Sequence, residues 1–420
     1  MDHFQYKNGE LYAENIALSK IAQEVGTPFY VYSQATLERH YQVFADAVKD
    51  IDATICFAVK ANSNISVIKA LSDLGAGADV VSVGEMKRAL KAGVPADKIV
   101  YSGVGKSRSE LKAAVETGIR QINVESEEEL AVLNEVAQEM GARMPIVLRV
   151  NPDVDAKTHA KISTGKSGNK FGIDWKRAVE VYQRASNMAG VEPKGLACHI
   201  GSQLTDLEPF RAAFRRMKEM VSELRGLGLD VSRVDLGGGL GIPYDEGDTP
   251  LPVEYGKLVV EELGDLDVEF EFEPGRMIVG NAGILVSEVI YVKEGLSKTF
   301  AIIDAAMNDL MRPSLYDAYH AIVPVIEADA EEAKQLYDVV GPICETGDTF
   351  AKDRLLNKLK TGDLIAFRTA GAYGATMSNT YNSRSLIPEL MVKGEEYAII
   401  RRRLDIEEQM DLEALASWQD

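Results

Sequence analysis

Cysteine is scarce: Cys56, Cys198 and Cys344 are the only three in 420 residues. They are too few and too scattered for a disulfide framework or a metal site of the zinc type, and the odd count leaves one over, which points to a reducing compartment. Long apolar runs are missing too. No stretch approaches the roughly 20 apolar residues that span a bilayer, and the polar segment Met1 to Glu10 lacks the apolar centre of a signal peptide. No membrane partner is expected, and the cytoplasm is the expected location. Positive charge is in deficit, with 46 Lys and Arg against 65 Asp and Glu and a formal net charge of −19. Nucleic-acid binding relies on clustered cations that displace counterions, so DNA and RNA are not expected as partners. A basic pocket for a small anion stays compatible with that charge. Low-complexity tracts are absent, and a chain of this length builds a core without covalent staples.

What is present is alternation. Eight short β-branched or apolar runs, Ile55–Val59, Ala78–Ser82, Lys98–Tyr101, Gln121–Val124, Ile146–Val150, Gly195–His199, Arg233–Leu236 and Val268–Glu273, are separated by amphipathic stretches with helical spacing. Those stretches are Val67–Leu74, Gly84–Ala92, Ser109–Thr117, Glu127–Met140, Lys176–Met188, Leu207–Leu227 and Glu254–Leu263. Ser126 precedes three glutamates, a favourable start for a helix whose positive end meets acidic side chains. Eight such units predict an α/β fold, a (β/α)8 TIM barrel over 35–280, rather than an open doubly wound sheet with fewer strands. After Gly280 the texture turns β-rich at Ile284–Val292, Phe300–Ile303, Tyr337–Val340, Leu364–Thr369 and Tyr397–Arg402, which predicts a mostly antiparallel β-barrel or sandwich domain over 281–420. Tyr12 and Pro28–Tyr32 are strand-like and are expected to assign residues 1–34 to that second domain. The acidic tail Asp405–Asp420 reads as a short terminal helix.

A barrel of this kind carries its reactive groups at the C-terminal ends of its strands. Lys60 ends the first run after five residues expected to be buried, so its amine would be partly desolvated and nucleophilic, fit to form a Schiff base. A surface lysine in a loop is the plainer reading. The second run carries Asp79 and Ser82, and the sixth ends in His199, either a satisfied core histidine or an imidazole stacked on a flat ring. Gly237, Gly238 and Gly239 follow Asp235-Leu236, where a glycine-rich loop offers backbone N–H groups to a phosphate or simply makes a tight turn. Glu273 stands beside Pro274-Gly275-Arg276, placed to hydrogen-bond a pyridine nitrogen or to pair with an arginine at the rim.

Phe57-Ala58-Val59-Lys60-Ala61-Asn62, His199-Ile200-Gly201-Ser202-Gln203, Gly237-Gly238-Gly239 and Glu273-Pro274-Gly275-Arg276, in that order and spacing, resemble the fold-type III pyridoxal-phosphate decarboxylases. The segments Met307 to Asp317 and Cys344 to Asp348 resemble the branch of that family that converts meso-diaminopimelate to lysine and carbon dioxide, the last step in making lysine. The likeness runs from about Tyr30 to Arg403. It implies pyridoxal 5'-phosphate as cofactor, joined to Lys60, with His199 on one ring face and Glu273 at the ring nitrogen. It also implies Gly237, Gly238, Gly239, Gly275, Arg276 and Ser202 around the phosphate, with Tyr373 reaching phosphate and substrate. Cys344 is implied as the proton donor, and Cys344 and Glu345 as groups supplied across a two-fold homodimer interface. Arg276 and Arg312 are expected at the substrate's second carboxylate, with Tyr316 as a further donor and Glu345 as acceptor for the distal amine. Taken singly, Arg312 reads as a surface arginine before a proline turn and Cys344 as a small buried apolar residue. The sequence departs from the family's frequent pattern at Ala306 and Thr346, both small exchanges outside the reacting groups. Rival readings are a decarboxylase of ornithine, arginine or carboxynorspermidine on the same fold, a non-catalytic homologue, and a cofactor-free barrel enzyme holding a sugar phosphate.

Overall fold

The computed structural model describes residues 2–155, 170–245, 247–327 and 333–419, so Met1 and Asp420, the two ends of the expectations above, lie outside it. The chain divides into two compact units, residues 38–243 with 247–278, and residues 1–37 with 244–246 and 279–420.

The first unit is a closed barrel of eight parallel strands: β1 (Ala53–Ala58), β2 (Gly77–Val80), β3 (Ile99–Tyr101), β4 (Gln121–Val124), β5 (Met144–Asn151), β6 (Val191–Ala197), β7 (Arg233–Asp235) and β8 (Glu269–Phe272). Each strand pairs with the next, and β8 pairs with β1 to close the ring. The eight runs read from the sequence are therefore the eight strands, shifted by a few residues. Alternation explains what each strand does. In β8, Phe270 and Phe272 are buried among apolar neighbours, and Glu271, of opposite parity, hydrogen-bonds Gln121 inside the barrel. Phe272 meets Phe44 and Tyr255 edge-on at ring separations of 5.7 and 6.1 Å, an aromatic clamp that fixes the end of β8. Helices begin where capping chemistry allows: Ser126 accepts the Glu129 N–H, and Ser107 and Glu110 form a reciprocal box. Ser82 does the same for helix Val83–Lys91, so it serves as a cap rather than as a reactive group.

The second unit is built on β9 (Gly283–Glu294), long enough to pair with different partners along its length. Its first half pairs with Phe29–Ser33 and Leu364–Phe367, its second half with Thr299–Ile303. Most pairings are antiparallel, with parallel exceptions between Thr299–Ile303 and Lys334–Val340 and between Phe29–Ser33 and Glu389–Lys393. Tyr12 lies instead in a separate three-stranded sheet over residues 4–17. The tail forms one short helix, Ile406–Met410. Among the described residues no helix is long and apolar enough to cross a membrane.

Candidate active site

In the barrel unit, β1 hands over to a single 3-10 turn, Val59–Ala61, which carries Lys60. Its Nζ donates to Asp79 Oδ2 at 2.5 Å. Asp79 is wholly buried on β2, and its other oxygen, Oδ1, has no hydrogen-bond partner among the described residues. The lysine side chain is 35% exposed. The lysine is thus partly buried, and a buried carboxylate holds its amine as an ion pair. Gly275 packs under this turn: a Cβ there would lie 3.0 Å from both Ala58 Cβ and Ala61 Cβ. The Ala58 N–H donates to the Pro274 carbonyl, so the β8 end and the lysine turn are tied together.

Glu273, just beyond β8, is buried and faces inward. It accepts from Ser102 Oγ and Asn123 Nδ2, both at 3.2 Å. Burial, then the negative charges of Asp235 and Asp79, push its pKa well above the carboxylate range. Asp235, buried on β7, accepts from Asn123 Nδ2 and from the Gly237 N–H, each at 2.8 Å, and hydrogen-bonds Glu273. The donors at 2.8 Å hold Asp235 more firmly than those at 3.2 Å hold Glu273, which makes Asp235 the acceptor of that bond and Glu273 the bearer of the proton. Deeper in the barrel, Gln121 donates to Asn123 Oδ1, and burial and Asp235 raise the pKa of Glu271 to about 7. Ser102 and Asn123 were not singled out from the sequence. Their signal was present as polar residues at inward parity next to apolar strand positions.

His199 follows β6, and its Nδ1 accepts the Gly238 N–H at 3.2 Å. Although the ring keeps some surface, burial and then the positive charges of Arg149 and Lys60 hold its pKa well below the usual range. The imidazole is neutral, and the ring proton belongs on Nε2. The glycine loop leaves no space for side chains. A Cβ would come within 2.7 Å of the Cys198 carbonyl at Gly237, 2.3 Å of the Glu273 carbonyl at Gly238, and 2.5 Å of the Gly201 carbonyl at Gly239. Two of its N–H groups are spent on Asp235 and His199, so the loop positions side chains as much as it offers donors. Arg276 is buried at the start of a short helix and donates to Ser202 Oγ at 3.1 Å.

The remaining expected residues lie in the β-rich unit. Arg312 opens the helix Arg312–Tyr316 and is buried, which removes its reading as a surface arginine. Tyr316, at the other end of that helix, is half-buried. Cys344 is exposed, contrary to the plain reading of a buried residue, and its Sγ lies 3.5 Å from Asn382 Oδ1. Glu345 is exposed and hydrogen-bonds Tyr381. Their loop is pinned from within: buried Asp348 accepts the Met307 N–H at 2.6 Å and the Ile343 N–H at 2.7 Å. Tyr373 has a left-handed backbone, φ 54°, and follows Gly371, where a Cβ would strike the Val279 carbonyl at 2.0 Å. Ala306 is buried, and its N–H donates to Asp309; Thr346 is exposed.

The glycine cradle, the proton-bearing carboxyl of Glu273 and the orphaned buried oxygen of Asp79 beside the Lys60 amine fit a phosphorylated pyridine aldehyde. Residues 34–280 match the family described as the pyridoxal-binding domain of pyridoxal-dependent decarboxylases. The chain belongs to that family. Within it, the similar proteins are diaminopimelate decarboxylases: that of Pseudomonas aeruginosa is 51% identical over 97% of this chain and 98% of its own length, and that of Vibrio cholerae 49% identical over 99% of each. Among solved structures, diaminopimelate decarboxylase from Helicobacter pylori complexed with L-lysine superposes with a TM-score of 0.91 at 42% identity, covering 94% of this chain and 98% of that one. The M. jannaschii enzyme in co-complex with L-lysine gives 0.94 at 36% identity over 99% and 98%.

Proposed function

We propose that the chain decarboxylates meso-2,6-diaminopimelate to L-lysine, in the cytoplasm, with pyridoxal 5'-phosphate joined to Lys60. The observation that carries this reading is the Lys60–Asp79 pair in the same barrel as a buried Glu273 hydrogen-bonded to Ser102, Asn123 and Asp235. When bound, the cofactor supplies an electron-poor ring that accepts the electron pair left on an α-carbon when its carboxylate leaves as carbon dioxide. The chain's own groups do the rest. Glu273 holds a proton for the pyridine nitrogen, and Asn123, Ser102 and Asp235 keep that carboxyl aimed. His199, neutral, would lie against the ring face. Ser202, Arg276, Gly275 and the Gly237–Gly239 loop would receive the phosphate, and the family resemblance adds Tyr373. Arg312 and Arg276 would present forked donors to the second carboxylate of the substrate, Tyr316 would add a further donor, and Glu345 would accept from the distal amine. Cys344 delivers a proton to the α-carbon.

Cys344 and Glu345 stand exposed on a loop that Asp348 holds in shape, which suits groups delivered to another copy. We place them in the partner's site of a two-fold homodimer, so activity should fall as the dimer is diluted apart. The test of the whole reading is the visible spectrum of purified protein before and after meso-diaminopimelate, with product identification across diaminopimelate, ornithine, arginine and carboxynorspermidine. Lysine should be the product, and borohydride reduction should leave a pyridoxyl adduct on Lys60. A colourless protein, or an adduct elsewhere, overturns it.

A further inference from the structure

Arg312 is held by a cluster to which no role has yet been given. His320, 2% exposed, places Nε2 2.8 Å from Arg312 Nη1 and Nδ1 2.9 Å from the Arg368 carbonyl. A guanidinium only donates and a carbonyl only accepts. Nε2 therefore carries the lone pair, Nδ1 carries the hydrogen, and the ring is neutral in a single tautomer. The carbonyl that fixes this tautomer is itself anchored: the Arg368 N–H donates to Ala321, and its Nη2 donates to Asp2 and to the Phe4 carbonyl. The face of the guanidinium is set separately. Arg312 Cζ lies 4.3 Å from the centre of the Tyr244 ring, and that ring meets His320 edge-on at 5.5 Å and 84°. One neutral ring thus fixes an edge of the fork and another fixes its plane, and neither neutralises its charge. All these residues belong to the β-rich unit, Tyr244 through the short excursion 244–246.

We propose that His320 and Tyr244 are positioning residues that set substrate specificity, holding the Arg312 fork so that the site selects ligands with a carboxylate remote from the reacting amine. The proposal rests on the reading of Arg312 as the partner of that carboxylate. L-Lysine keeps the remote carboxylate and 1,5-diaminopentane lacks it while keeping both amines, so the two compounds isolate the contact.

The experiment measures kcat and KM for meso-diaminopimelate, and competitive inhibition by L-lysine and by 1,5-diaminopentane, on the holoenzyme and its variants. His320→Leu removes the acceptor and His320→Gln restores one; Tyr244→Leu removes the stacking ring and Tyr244→Phe restores it. Expected is a rise of about tenfold in KM and in the lysine inhibition constant for both leucine variants, with kcat within about threefold. Inhibition by 1,5-diaminopentane should not move, and the glutamine and phenylalanine variants should recover most of the loss. Equal weakening of both inhibitors would show a merely structural role and overturn the proposal, as would no change in either. Should His320→Leu fail to fold, Tyr244→Leu and His320→Gln decide alone. Arg312→Ala separates the layers. If it leaves the lysine-to-diamine discrimination intact, the parent reading of Arg312 fails; if it abolishes discrimination while the His320 and Tyr244 variants keep it, only the present inference fails.

Discussion

Glu273 shows how burial turns an ordinary carboxyl into a proton reservoir. Its neighbours Asp235 and Asp79 make a second negative charge costly, and Asn123 and Ser102 satisfy the acid without ionising it. Gln at position 273 keeps hydrogen-bonding capacity but has no proton to give. Glu273→Gln should lower kcat by about 100-fold while KM changes little and the absorbance of bound cofactor persists. Wild-type turnover in that variant would remove Glu273 from the chemistry. Cys344→Ala should likewise slow turnover by about 100-fold with the cofactor spectrum intact; full activity would strike the thiol from its role. Most of these residues were legible because they sit at strand ends in short motifs. Ser102 and Asn123 were not, since nothing in a sequence distinguishes an inward polar residue that aims a catalytic acid from one that merely fills a barrel.

The loop after β7 is an element whose glycines are set by contact rather than by flexibility. Gly238 lets two strand ends touch, with its absent Cβ directed at the Glu273 carbonyl 2.3 Å away. Gly238→Ala must push backbone against backbone and displace the residue that bears the proton. It should therefore weaken retention of pyridoxal phosphate by about 100-fold or more, measured by dialysis and reconstitution. Retained affinity would show that the loop yields. The elements that the sequence hid have physical reasons for hiding. Gln34–Ala47 begins without an acidic first turn and sets Thr36 and His40 among its buried positions, and Thr349–Asn357 alternates its burial too irregularly to read as a strand. The eight barrel runs were legible because short β-branched or apolar segments recur at regular intervals between stretches of helical spacing.

At the scale of the whole molecule, proton uptake couples to stability. Burial raises the pKa of Asp309 to about 7, against the stabilising N–H of Ala306 and the charge of Arg384. The folded chain keeps a proton there that the unfolded chain has already released, so unfolding becomes easier as pH rises from about 4 to about 7 and levels off above that. Asp309→Asn keeps the acceptor for Ala306 and removes the titration. Urea unfolding of wild type should lose on the order of 3 kcal/mol relative to this variant across that window. Parallel pH profiles for the two would refute the assignment.

The strand Phe29–Ser33 has every residue buried, yet its partners β9 and Glu389–Lys393 lie far downstream in the chain. On a ribosome, the barrel's last strand emerges before either partner does. A greasy segment made among the first must wait on the order of tens of seconds for its neighbours. Chaperone dependence during translation should accordingly map to the first forty or so residues, and a circular permutant that joins them to the far end of the chain should shed it.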